Sequence, residues 1–133
     1  MADMSNYLEG AVGDHVLRNT AYTSPANVFM RLYTAVSDAE AGTGTEVSTS
    51  GTAYSGATIT FGAGSNGVFA NSSTVTFEVA TGSGFGAVSH FCVRDAVSAG
   101  NALSVIKALA ATKQVDAGDQ LIFPASTITV TFA

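Results

Sequence analysis

Charged residues are scarce in this sequence. They make up 11% of its 133 residues, against about 25% in typical soluble domains. Five basic residues stand against ten acidic ones, for a formal net charge of −5. The basic residues are spread along the chain, at Arg18, Arg31, Arg94, Lys107 and Lys113. Because a nucleic-acid surface needs a clustered basic patch, we predict that the protein does not bind DNA or RNA directly.

The sequence has one cysteine and no tryptophan. An internal disulfide is therefore excluded, and Cys92 lies in the apolar run Ser89–Val93, which is typical of a buried, unreactive thiol. No apolar run reaches the roughly 18 residues of a membrane-spanning helix. The N-terminus lacks a basic stretch followed by an apolar segment, so we expect no secretory signal. These absences predict a protein made in a cytoplasm, without a membrane partner.

Residue combinations with catalytic or metal-binding spacing are also lacking. His15 and His90 lie far apart, and the pair His90 and Cys92 on one strand face offers too few ligands for a zinc site. The segment Gly82–Gly86 has neither the lysine nor the following helix of a phosphate-binding loop. The carboxylates match no calcium-loop spacing. We therefore predict a non-enzymatic protein without a metal or other cofactor.

One helix is predicted, over residues 6–18. Asn6 is a suitable cap and Glu9 follows three residues later, the spacing of a capping box. Leu8, Val12 and Val16 recur at helical spacing and predict a buried face. Glycines at positions 10 and 13 weaken the helix by about 1 kcal/mol each relative to alanine. A short helix of this composition needs something to pack on, either its own sheet or a neighbouring subunit.

After Pro25 the apolar residues alternate, as they do in strands. In residues 27–34, for example, Val28, Met30 and Leu32 share one face. Residues 102–109 could form a strand or a helix. We predict a strand, because the length of the segment is typical of a strand and a glycine precedes it. A long polar loop is predicted over residues 35–56. The predicted strands are 27–34, 57–61, 68–70, 74–79, 86–94, 102–109, 121–123 and 126–132.

Seven or eight short strands separated by turns are typical of all-β proteins. We predict an antiparallel, jelly-roll-like β-sandwich with a short N-terminal helix, forming a single domain over residues 1–133. Residues 1–24 would be a helical arm and residues 25–133 the sandwich. Loops as long as 35–56 are usually functional, so the arm and this loop are predicted to contact partners. The predicted contact residues are Tyr7, Leu8, Val12, Val16, Asp38, Glu40 and Glu46.

Several short segments resemble a family of small virion structural proteins of tailed phages, often labelled tail fibre-like. They are Met4–Glu9, Arg18–Thr20, Tyr22–Pro25, Leu32–Thr34, Gly42–Val47, Thr60–Ala63, Asn71-Ser72, Thr76-Phe77, Val88–Phe91 and Val115–Asp119. The resemblance runs from about residue 4 to the end and rests on the order of the segments. It implies a structural role in the virion, after synthesis in the host bacterial cytoplasm, and it brings no catalytic residues.

Three functions are consistent with these observations. The first is a capsid decoration, or cement, protein that binds the major capsid protein as a homotrimer, because a small, weakly charged β domain is easily desolvated. The second is a tail or tail-fibre component that binds other virion proteins. The third is a receptor- or glycan-binding module that uses residues 35–56, although the lack of tryptophan argues against sugar binding.

Overall fold

One short helix and nine strands make up the part of the protein that the computed structural model describes, residues 2–132. The helix α1 spans Asn6–Leu17. The strands are β1 Val28–Asp38, β2 Thr43–Glu46, β3 Ala57–Ile59, β4 Val68–Ala70, β5 Val75–Thr76, β6 Gly86–Arg94, β7 Lys107–Val115, β8 Ile122–Phe123 and β9 Thr129–Thr131. Every pair of neighbouring strands is antiparallel. The prediction of an all-β sandwich with a short N-terminal helix is confirmed.

The largest sheet has five strands, in the order β2-β1-β6-β7, with β3 paired to the first residues of β1. Two short pairs, β4 with β9 and β5 with β8, complete the sandwich. The alternation predicted for β1 is present. Met30 and Leu32 face the main core, while Tyr33 faces outward into a smaller apolar cluster with Cys92 and Ile106.

The main core lies between the five-stranded sheet and the two short strand pairs, because residues of both groups pack in one cluster. Phe77 is the largest fully buried side chain. Its ring is stacked with Tyr54, with centroids 6.3 Å apart, and meets Phe123 edge-on at 6.2 Å. Aromatic pairs of this kind stabilise a core by more than the burial of their surface area alone. Through its contact with Phe123, Phe77 connects the segment that follows β5 to β8.

The prediction of one long loop over residues 35–56 is wrong in its first half. β1 continues to Asp38 and forms a hairpin with β2. The turn between them is closed by the Asp38 carboxylate, which accepts a hydrogen bond from the Ala41 amide at 3.1 Å, and by Gly42 with a φ of 70°. Asp38 and Gly42 are therefore turn residues of a hairpin, and only residues 47–56 form the irregular connection to β3.

The strand predicted over residues 102–109 begins instead at Lys107 and runs to Val115. Residues before it are irregular because their amides are taken by distant parts of the chain. Leu103 donates to Val93 O at 2.8 Å, Val105 to Asp3 O at 2.8 Å and Ile106 to Ala39 O at 2.9 Å. This segment thus covers the outer face of the large sheet and anchors the N-terminal residues.

The helix is capped by Ser5 and not by Asn6 as predicted. The Ser5 hydroxyl accepts a hydrogen bond from the Leu8 amide at 3.2 Å and donates one to the Ala102 carbonyl. Ser5 is 1% exposed, so the cap also fixes the helix start to the body of the protein. The hydrogen bond to Ala102 explains why Ser5, and not Asn6, caps the helix. With Ser5 as the cap, Glu9 lies one position too late for a capping box.

Candidate partner-binding surface

The residues before α1 are fastened to the sandwich. The Asp3 carboxylate accepts hydrogen bonds from Lys107 Nζ at 2.7 Å and from the Thr131 amide at 2.9 Å. The Asp3 amide donates to Thr131 O at 2.6 Å. The ion pair with Lys107 is largely shielded from solvent. Because these hydrogen bonds hold Asp3 against β7 and β9, the start of α1 has a fixed position on the sandwich.

From that point the exposure of the large aliphatic α1 side chains increases toward the C-terminal end of the helix. Leu8 is buried and Val12 is half-buried, but Val16 is 70% and Leu17 84% exposed. Among the described residues, no Cα atom of α1 lies within 8 Å of a strand Cα. The predicted buried face of Leu8, Val12 and Val16 is therefore wrong at Val16. The second half of the helix presents two large aliphatic side chains to solvent.

An apolar groove opens beside Leu8, with a volume of about 640 Å³. Its walls come from the connection between α1 and β1 and from the neighbouring strand ends, and none of its lining residues is charged. Phe69 and Phe132 form one wall, with ring centroids 5.4 Å apart. Volumes in this range are typical of ligand and side-chain binding sites. The residues that line it include Tyr22, Pro25, Val28, Phe61, Phe69 and Phe132.

The structure brings together six of the seven predicted contact residues. Tyr7, 42% exposed, stands beside Leu8 on the first turn of α1. The β1–β2 turn with Asp38 and Glu40 lies against the helix start, because the Asn6 amide donates to Glu40 O at 3.0 Å. The side chains of Asp38 and Glu40 are exposed. One end of the molecule thus carries the helix, the acidic turn and the nearby groove.

The seventh residue, Glu46, lies elsewhere and bonds within the chain. Its carboxylate accepts two hydrogen bonds from Arg31, with Nε at 2.7 Å from Oε1, and one from the Tyr54 hydroxyl at 2.8 Å. The same Tyr54 oxygen accepts a hydrogen bond from the Leu32 amide at 2.9 Å. Glu46 therefore joins β2, β1 and the segment before β3.

Burial and neighbouring charges shift the pKa values of Arg31 and Tyr54 in this network. Burial lowers the pKa of Arg31, but the hydrogen bond and charge of Glu46 outweigh it, so the net pKa is raised. Burial raises the pKa of the Tyr54 hydroxyl, which keeps it protonated as a donor. Arg31 is therefore a permanent cation inside the protein, and Glu46 is its counter-ion.

The aromatic lining of the groove was not identified by the sequence reasoning. Phe132 continues the alternation of Ile128 and Val130, which predicts an inward side chain, yet it is 39% exposed. Phe61 follows the short strand β3 and pairs with Asn71 in an isolated bridge. No local pattern distinguishes these aromatics from core residues, because the groove forms only where separate strand ends meet.

Three further observations concern metal binding, membrane insertion and the surroundings of His90. Within residues 2–132, no three His, Cys, Asp or Glu side chains converge as they would around a metal ion. In the same part of the chain, the helix is too short and too polar to cross a membrane. The Nδ1 atom of His90 lies 2.7 Å from the Ser89 hydroxyl, and this contact joins adjacent residues of one strand.

We expect Cys92 to resist alkylation in the folded protein. Its side chain is fully buried, and burial raises the pKa of the thiol, which lowers the fraction of reactive thiolate. Iodoacetamide at pH 8, followed by mass spectrometry, should leave the native protein unmodified and alkylate it completely in denaturing urea. Native labelling as fast as labelling in urea would show that this face of β6 opens readily.

Comparison with known proteins agrees with the resemblance seen in the sequence. A family model described as "Podophage GP4 fiber I protein gp80" matches residues 3–131. No curated protein gives a significant match to the chain. The family match includes α1, all nine strands and every groove residue except Phe132. The chain therefore belongs to this family of podophage fibre proteins, whose members are structural components of the virion.

Proposed function

We propose that the protein is a non-enzymatic building block of a podophage tail fibre. The observation that carries this proposal is the match to a fibre protein family over residues 3–131. The match covers the sandwich together with its helical arm, so it concerns the whole architecture and not one short motif. A structural role needs a well-packed body and surfaces that can contact a neighbour, and the continuous core and the exposed apolar end of α1 support such a role.

The features of the surface support this role. Few charged side chains have to be desolvated when the protein meets a neighbour, because only 11% of the residues are charged. The groove and the exposed half of α1 supply apolar area, and burial of such area contributes roughly 25 cal/mol per Å² before the cost of association. The protein is thus suited to bind other virion proteins through many small contacts.

The capsid-cement hypothesis shares most of these features, since it also needs a small β-rich protein with apolar contact surfaces. The family description favours the fibre, and the fold alone does not separate the two. Their consequences for the particle differ. A cement protein stabilises the head, whereas a fibre component supports attachment to the host cell.

The test is a phage in which the gene for this protein is disabled. We expect filled heads with unchanged resistance to heating, together with a loss of adsorption to host cells. Electron microscopy of particles that carry a tagged copy should place the tag on fibres, in far fewer copies than the major capsid protein. Tags spread over the head lattice, with fragile heads and normal adsorption, would overturn the fibre proposal and support cement.

A further inference from the structure

We propose that Asn66 is a site of spontaneous deamidation, in which the backbone amide of Gly67 attacks the asparagine side chain. The two residues form the tip of a hairpin that leads into β4. Of the six asparagines in the sequence, Asn66 alone is followed by glycine. This chemistry belongs to the isolated chain and does not depend on the place of the protein in the virion.

The geometry of the hairpin explains why this pair of residues is present. Ser65 and Val68 exchange two backbone hydrogen bonds, both at 3.0 Å, so only two residues connect them. Asn66 has a φ of 51° and Gly67 a φ of 78°. Positive φ at both central positions defines a type I′ turn, for which asparagine followed by glycine is strongly preferred. The fold thus places a thermolabile asparagine directly before the residue that hinders attack on it least.

Both reacting groups are available to each other. Asn66 is exposed, and among the described residues the Gly67 amide donates no hydrogen bond. Attack requires a rotation of the backbone at Asn66, which opens the hydrogen bonds between Ser65 and Val68. Local opening of an exposed turn costs less free energy than global unfolding. The folded chain can therefore reach the reactive geometry while the core stays intact.

The reaction balances with water as the co-reactant. The Gly67 nitrogen gives up its proton and bonds to Asn66 Cγ, while the Cγ–Nδ2 bond breaks and ammonia leaves. The product is a cyclic imide, which water then opens. Addition of water at Cγ gives aspartate, whereas addition at the backbone carbonyl carbon gives isoaspartate, whose main chain runs through Cβ and Cγ. Either product adds one negative charge to the formal −5 of the chain.

The other asparagines are less reactive for identifiable reasons. Asn71 is 1% exposed, and its side-chain nitrogen donates hydrogen bonds to two backbone carbonyls, at 2.8 and 3.0 Å. The Asn101 side chain donates to the Asp95 carboxylate at 2.9 Å. The remaining three asparagines precede residues whose side chains hinder attack by the backbone amide. These following residues are Tyr7, Thr20 and Val28.

Isoaspartate at the hairpin tip is expected to loosen the pairing of β4 with β9. The Gly67 carbonyl accepts a hydrogen bond from the Phe132 amide at 2.7 Å, and the next pair along the ladder is Val68 with Thr131. Isoaspartate inserts one extra main-chain atom just before this contact. The rings of Phe69 and Phe132 form one wall of the apolar groove, so the modification also affects a candidate contact surface.

Peptide mapping by mass spectrometry, after storage of the full chain at pH 8, tests the site. We expect the mass change of an amide-to-carboxylate exchange in the peptide that contains Asn66 and in no other. Asn66→Gly is the matched control, because glycine also suits this turn but has no side-chain amide; its mass should not change. Deamidation first at another asparagine would overturn the proposal. So would an unmodified Asn66 after an incubation that deamidates the same chain in urea.

Hydrogen exchange measures the structural consequence. Anion-exchange chromatography separates the deamidated chain by its extra negative charge. Its isoaspartate fraction should exchange the amides of β4 and β9 faster than the parent, while those of the inner strand β6 keep their rate. Asn66→Asp carries the same charge on an ordinary backbone and should exchange like the parent. Equal exchange of β4 and β9 in the isoaspartate form and the parent would contradict the expected loosening.

Discussion

Replacing Glu46 with leucine is expected to lower the free energy of unfolding by about 3–5 kcal/mol, as for other buried ion pairs that lose one partner. The Arg31 side chain is 7% exposed and that of Glu46 is 25% exposed, so the substitution leaves a shielded cation without its counter-ion. Tyr54 also loses the acceptor of its hydroxyl proton. Urea denaturation followed by circular dichroism measures the loss as a lower midpoint.

Two controls identify the cause of that loss. The double substitution Arg31→Met with Glu46→Leu removes both charges and should regain part of the lost stability, because apolar replacement of a buried pair is often neutral. Asp14→Ala breaks the exposed pair with Arg18 and should cost about 0.3–0.5 kcal/mol. If the single and double variants at the buried pair were equally unstable, packing and not charge would explain the effect.

Much of the sandwich follows from the spacing of apolar residues. β6 occupies Gly86–Arg94, as predicted, and the alternation of Met30 and Leu32 in β1 places them in the core. In each case the pattern lies within one short segment, and the burial of one strand face is enough to select it.

Errors arise where distant segments compete for a backbone group. Ala102–Ile106 has the composition of a strand, but its amides bond to Asp3, Ala39 and Val93, residues that no local pattern connects to it. The helix cap moves to Ser5 because Ala102 provides a second partner for its hydroxyl. Such contacts depend on the finished fold, so single-segment reasoning misplaces the boundaries.

The candidate surface was only partly visible in the sequence. The sequence predicts the arm as a contact segment because its weak helix needs something to pack on, and this role stays a prediction, while the structure leaves Val16 and Leu17 exposed. The groove was missed because Phe61, Phe69 and Phe132 come from separate strand ends and resemble core residues. Glu46 illustrates the opposite case, since an acidic residue in a polar stretch resembles a surface residue until Arg31 is placed beside it.

The second large effect is expected in the core. Phe77→Ala should lower the free energy of unfolding by about 3–5 kcal/mol, the range for a large side chain removed from a close-packed interior. Phe77 is 1% exposed and its ring contacts the rings of Tyr54 and Phe123. The hydroxyl of Tyr54 also bonds to Glu46, so Tyr54 links the site of the cavity to the buried ion pair. Thermal and urea unfolding should both show the loss.

Val79→Ala is the matched control, because Val79 belongs to the same segment but is 46% exposed. A change of about 0.5 kcal/mol or less is expected there. Since Phe77 and Glu46 both contact Tyr54, Phe77→Ala and Glu46→Leu should be non-additive when combined, as neighbouring sites usually are. Strict additivity would mean that the ring stack and the ion pair stabilise the sandwich independently, and that Tyr54 does not couple them.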